Sequence, residues 1–147
     1  MPDAPQSYSN YTRYDPIFHF FVIPVFVFAV LAAIVHLFLK ARFHPLHSVL
    51  MLILALAMLV VIFKIRLYPL KVQDRVIRLE ERLRLATLLP DSLRTRIPEL
   101  TEQQLIALRF ASDAELAGLA QRALNEKLSA DDIKKSIQNW RPDNWRV

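Results

Sequence analysis

The chain has 147 residues, among them one glycine, nine prolines and no cysteine, and its 19 Lys+Arg against 14 Asp+Glu give a formal charge of +5. The absence of cysteine excludes a disulfide scaffold, a thiolate zinc or iron–sulfur site and a thiol nucleophile. A single glycine excludes a Gly-rich phosphate loop and a dinucleotide fingerprint, both of which need backbone approach that only glycine permits, and it leaves little material for the turns of a sheet.

The N-terminal tail, residues 1–16, carries Pro2, Pro5 and Pro16 with Tyr8, Tyr11 and Tyr14. It is expected to be irregular, with Tyr11 and Tyr14 at headgroup level as interfacial anchors. Ile17 to Leu39 then runs without a formal charge, and a second apolar stretch fills Leu46 to Leu67, ending in Lys64 and Arg66. A helix needs about 20 apolar residues to cross a ~30 Å hydrocarbon core, so both are predicted transmembrane helices, about 17–39 and 46–67. The first lacks the basic flank and the small-residue cleavage site of a signal peptide. The segment between them, Lys40 to His47, is short and makes the pair an antiparallel hairpin, with Pro45 suited to the first turn of the second helix. Lys64, Arg66, Lys71, Arg75, Arg78, Arg82 and Arg84 cluster at the end of the second span against Lys40 and Arg42 in the loop. The positive-inside rule places both termini in the cytoplasm. The lone Arg13, beside Asp15, adds little.

The remainder, residues 70–147, is predicted as a cytoplasmic α-helical domain with helices near 70–89, 101–111, 113–127 and 130–140. Pro69 is expected to break or kink the chain between the second span and the first of these. Within 70–89, Val72, Val76, Leu79, Leu83 and Ala86 follow the 4-3-4-3 spacing of an a/d seam, and Asp74–Arg78 and Glu80–Arg84 stand at (i, i+4). The seam serves either packing within the domain or self-association. Pro90 to Pro98 reads as a linker. Thr101 with Gln104, Ser112 with Glu115 and Ser129 with Asp132 each have capping-box spacing before an apolar run. Their apolar faces can bury one another in a small bundle, marginal by itself. Gly118 falls inside a predicted helix, where another helix can pass closely.

Three stretches carry a resemblance: Leu70 to Arg75 with Arg78, Glu80, Glu81, Leu83 and Arg84; Ala107 to Asp113; and Asp132 to Lys135 with Ile137, Trp140, Asp143, Arg146 and Val147. They resemble an uncharacterised family of small bacterial membrane proteins, a domain of unknown function, with two N-terminal transmembrane helices and a helical tail. The resemblance implies bacterial origin and supports the topology, and it brings no catalytic residue.

The chemistry-bearing candidates are few. His36, His44 and His47 gather at the loop end of the hairpin and are the candidate set for a metal ion or a haem. His19 lies about 25 Å away along the first helix and cannot join them. The plainer role for all four is interfacial hydrogen bonding; near neutral pH a histidine can also respond to protons. No serine sits in a nucleophile elbow, and Glu80-Glu81 and Asp131-Asp132 point to different sides of a helix. The basic residues Lys64, Arg66, Lys71, Arg75, Arg78 and Arg82 suit anionic headgroups, worth about 1 kcal/mol each near the surface. Lys134, Lys135, Trp140, Trp145 and Arg146 form a second basic-aromatic group, either structural or a contact surface. The sequence therefore supports an all-α membrane protein of the bacterial inner membrane, without catalytic residues or cofactor. It would act as a scaffold or accessory subunit through protein contacts and self-association, in contact with lipid and within a larger membrane complex. The alternatives are a metal- or haem-binding membrane protein and a membrane-tethered binder of nucleic acid or anionic lipid; interleaved acids disfavour nucleic acid.

Overall fold

The computed structural model describes residues 5–12 and 14–143. Pro2, Arg13, Trp145, Arg146 and Val147, named above, lie outside them. The described residues are helical, with no strand, and the chain divides into two compact units. One holds Tyr14–Leu70; the other joins the segment before Tyr14 to the chain from Lys71 onward.

In the first unit a π-helical turn, Phe18–Val22, leads into α1, Ile23–Lys40. Asp15 starts it: its carboxylate accepts the Phe18 N–H at 3.1 Å and its carbonyl the His19 N–H at 3.0 Å. A turn over residues 41–43 connects to α2, which begins at Pro45, where a missing N–H costs nothing. Both helices are long and apolar enough to cross a membrane, with mean hydropathy 2.8 and only 6% of each apolar window buried. The sheltered positions recur every three or four residues: Phe26, Val30, Ala33 and Leu37 on α1, and Ser48, Leu52, Ala55, Leu59, Ile62 and Arg66 on α2. That spacing is one helical stripe on each. The small Ala33 and Ser48 are its fully buried members, and the Ser48 hydroxyl is satisfied by the His44 carbonyl at 3.0 Å.

Of the break or kink expected at Pro69, the structure shows no break. α2 runs without interruption from Pro45 to Leu88, with Pro69 inside it. Proline removes one N–H and crowds the carbonyl four residues back, a cost of about 3 kcal/mol, yet strong helix formers on both sides carry the helix through. The predicted 70–89 helix is thus the second part of α2.

In the second unit α2 is followed by α3 (Asp91–Arg94), a 3-10 turn (Ile97–Glu99), α4 (Glu102–Leu108), α5 (Asp113–Glu126) and α6 (Ala130–Ser136). Pro90 to Pro98 is therefore more than a linker, and Ile97 and Leu100 are buried in the core. Leu85 and Leu89 of α2 join Leu105, Leu108, Phe110, Leu116, Leu119 and Ile133 there. The caps lie where the sequence puts them. Gln104 N–H donates to the Thr101 hydroxyl at 3.2 Å and Thr101 N–H to the Gln104 side chain at 2.9 Å. Asp132 N–H donates to the Ser129 hydroxyl at 3.2 Å. Ser112 N–H donates to the Glu115 carboxylate at 3.3 Å.

Two predicted helices stop early. α4 ends at Leu108, and α6 ends at Ser136, because the backbone of 139–141 bonds instead to 110–112: Arg141 N–H to the Phe110 carbonyl at 2.7 Å, and Ser112 N–H to that of Asn139 at 3.1 Å. Glu115 takes the N–H groups of Gln138 and Asn139, both at 3.1 Å. Gly118 meets no close neighbour: a methyl group added there would have nothing within 4 Å.

The N-terminal segment also departs from expectation. Tyr11 packs on the core, its ring 5.8 Å from Phe110 and 6.0 Å from Trp140. The Gln6 side chain brackets Asp143, accepting its N–H at 2.7 Å and donating to its carbonyl at 3.4 Å, and Tyr8 donates to Asp131 at 2.7 Å. Tyr11 thus lies partly buried against the tail core, where the expectation had a headgroup anchor, because its ring finds an aromatic site there.

Candidate functional site

The second part of α2 has two apolar faces. Leu85 and Leu89, at 0% and 2% exposure, turn into the tail core, and Ile77, at 8%, lines the cleft beside Glu81. On the opposite side Val72, Val76, Leu79 and Leu83 stand at 61%, 49%, 60% and 62% exposure. Nothing among the described residues covers this stripe. Ala86, the fifth member of the predicted seam, is partly buried against the core, so the free stripe is one residue shorter than the sequence spacing implied.

The flanking charges differ from the (i, i+4) reading. Arg78 pairs with Glu102 and donates to the Asp74 carbonyl at 3.2 Å, not to its carboxylate. Arg84 ignores Glu80. Its guanidinium bonds Glu81 at 3.1 Å, Asp113 at 2.5 Å and the Ala111 carbonyl at 2.7 Å. Glu81 is 4% exposed, has Arg141 at 3.6 Å, and lines an open cleft of about 700 Å³ with Arg84, Arg109 and Asp143. Sequence reasoning missed this cluster. Glu81 lies four residues from Ile77 and from Leu85, so helical spacing marks it as the polar residue on the core face.

Burial pushes the Glu81 carboxyl above its ordinary value; Arg84 and Arg141 pull the other way without cancelling this. A carboxyl whose folded pKa exceeds the unfolded one stabilises the fold at pH below the ordinary value, and that contribution is lost as pH rises through the elevated value. Glu81→Gln, uncharged and of the same shape, is expected to flatten this dependence. Relative to the wild type, the variant should gain stability as pH rises above the ordinary carboxyl value, which thermal unfolding of the full chain in detergent reads. Parallel profiles for the two proteins would show that burial does not perturb Glu81.

His36 and His47 meet edge to face with ring centroids 5.7 Å apart, and with Lys40, Phe43 and His44 they line an open cleft of about 570 Å³. His36 Nδ1 is buried without a hydrogen-bond partner. His19 lies apart, its Nδ1 2.8 Å from the Asp15 carbonyl. Among the described residues no three His, Cys, Asp or Glu side chains are placed to hold a metal ion.

Of the six headgroup candidates, Arg66 lies over the Phe18 ring at 5.6 Å, Lys64 donates to the Tyr68 hydroxyl at 3.3 Å, and Arg78 is held by Glu102. Lys71, Arg75 and Arg82 are exposed. In the second basic-aromatic group, Trp140 packs on Phe110 at 5.1 Å, Lys134 sits over the Tyr11 ring at 4.5 Å, and Lys135 pairs with Asp131 at 2.7 Å. These three side chains make contacts within the tail.

The family model of unknown function DUF6526 matches residues 1–147. The chain belongs to this family. No curated protein and no solved structure matches it significantly. Membership in DUF6526 carries no assigned chemistry, so the reading of the site rests on the residues themselves. Of these, the uncovered stripe on α2 is the feature the fold does not use.

Proposed function

We propose that this DUF6526 protein is a non-enzymatic integral membrane protein of the bacterial inner membrane, a scaffold or accessory subunit that self-associates through its tail. α1 and the first part of α2 would cross the bilayer as a hairpin with both termini in the cytoplasm. Two features support insertion. The apolar windows of both helices are almost wholly uncovered, whereas the core helix of a water-soluble protein is mostly buried. Residues 5–12 pack in one unit with the chain after Leu70, as two crossings require. The basic residues after the second span support the cytoplasmic side.

The observation that carries the scaffold reading is the stripe Val72, Val76, Leu79 and Leu83, exposed on a helix whose opposite face is already engaged. Contiguous exposed apolar surface of this kind marks an interaction site. Mass photometry of the full chain in lipid nanodiscs, with mass spectrometry of what co-purifies in mild detergent, tests it. A defined oligomer is expected; a strict monomer that co-purifies with nothing overturns it.

One observation favours a second reading. His36 Nδ1 is buried without a hydrogen-bond partner beside His47, and a neutral imidazole nitrogen is a ligand for a metal ion or a haem. Metal analysis and an absorbance spectrum decide it: no stoichiometric metal and no Soret band remove it.

A further inference from the structure

We propose that two copies of this chain join through residues 72–83 of α2 as a short parallel two-stranded coil in which Arg75 of each copy pairs with the partner's Glu80. The inference rests on the self-association reading and adds the orientation and the register. The spacing places Val76 and Leu83 at a, and Val72 and Leu79 at d. Arg75 and Arg82 then fall at g, and Gln73 and Glu80 at e, the positions that flank such a seam and set partner and direction.

Arg75, Glu80 and Arg82 are exposed, and the side chains of Arg75 and Glu80 make no hydrogen bond or ion pair among the described residues. The charges that do find partners within the tail, Arg78, Glu81 and Arg84, sit at c, f and b. The coil and the tail core therefore draw on different faces of the same helix.

Charge decides the direction. In a parallel pair each g residue faces the e residue of the partner's following heptad, so Arg75 meets the partner's Glu80 on both sides of the two-fold axis. In an antiparallel pair g faces g, which sets Arg75 and Arg82 of one copy against arginines of the other. Two copies inserted in one membrane in the same sense also leave their second spans in the same direction. Two heptads are short for a coil in free solution, but confinement to a membrane raises the effective concentration of the partner helix.

The chain has no cysteine, so single cysteines report directly. In liposomes under mild oxidation, Leu79→Cys is expected to form a cross-linked dimer, and Asp74→Cys, on the outer f position, is not. Glu80→Arg or Arg75→Glu alone should weaken dimerisation about tenfold, because each replaces two attractive contacts by two repulsive ones. The double exchange Arg75→Glu/Glu80→Arg should restore it. An oligomer without the Leu79→Cys cross-link, or without rescue by the exchange, overturns this register while leaving self-association standing. A monomer at every protein-to-lipid ratio overturns both.

Discussion

Phe110→Ala is expected to cost about 3–5 kcal/mol, the usual range for removing a large aromatic side chain from a core. Phe110 is 1% exposed and stands where three segments distant in sequence converge. The Tyr11 ring approaches from the N-terminal segment, Trp140 from the chain after α6, and the Arg109 guanidinium lies over the ring at 4.4 Å. Its carbonyl also accepts the Arg141 N–H at 2.7 Å. Truncation would leave a cavity lined by rings that cannot collapse into it, since each is held by its own bonds: Lys134 donates to the Tyr11 hydroxyl at 3.4 Å, and Trp140 is fixed by the bridge to Ala111. Small domains have about 5–15 kcal/mol in all, so the loss is a large fraction. Limited trypsin digestion of the full chain in nanodiscs reads it: opening of the tail should rise at least about a hundredfold. An unchanged digestion rate would show that this cluster does not hold the tail together.

What the sequence made legible follows from range. Capping is local, so Thr101, Ser112 and Ser129 could be placed from a three-residue spacing, and apolar runs of span length stand out without any knowledge of packing. Contacts across the chain were not legible. Nothing near Tyr11 points to Phe110 or Trp140, and a tyrosine beside a span is equally suited to a headgroup. The ion pairs failed for a subtler reason. Glu80 and Glu81 are adjacent, and (i, i+4) spacing selects Glu80 for Arg84, whereas burial turns Glu81 inward and brings Arg84 to it at (i, i+3). Helix ends failed where another segment supplied bonds: Ile137 to Asn139 could have extended α6, but Glu115 and the 110–112 backbone take the N–H groups of Gln138 and Asn139 and the Asn139 carbonyl. Pro69 does not end the helix, because a proline inside a long helical run removes one N–H without stopping the chain.

The seam makes a sharper prediction than any core position, because it separates association from folding. Leu79 and Leu83 are at 60% and 62% exposure, and neither belongs to the core of the tail. Replacing both with lysine should leave the fold of each copy unchanged. In a two-stranded coil the same change sets four ammonium groups in a desolvated seam, without acids to pair with them. Charges removed from water without partners each cost several kcal/mol, so dimerisation should weaken by more than about a hundredfold. Leu79→Lys/Leu83→Lys is therefore expected as a monomer in nanodiscs by mass photometry, with a trypsin digestion rate for the tail equal to that of the wild type. Leu79→Ala/Leu83→Ala should fall between, since it removes contact area without adding charge. If the lysine variant remains an oligomer, the contact lies elsewhere, and the stripe on α2 faces a different partner or none. If it becomes a monomer with a tail that digests faster, the two leucines serve the fold, and the separation of the two faces of α2 is wrong.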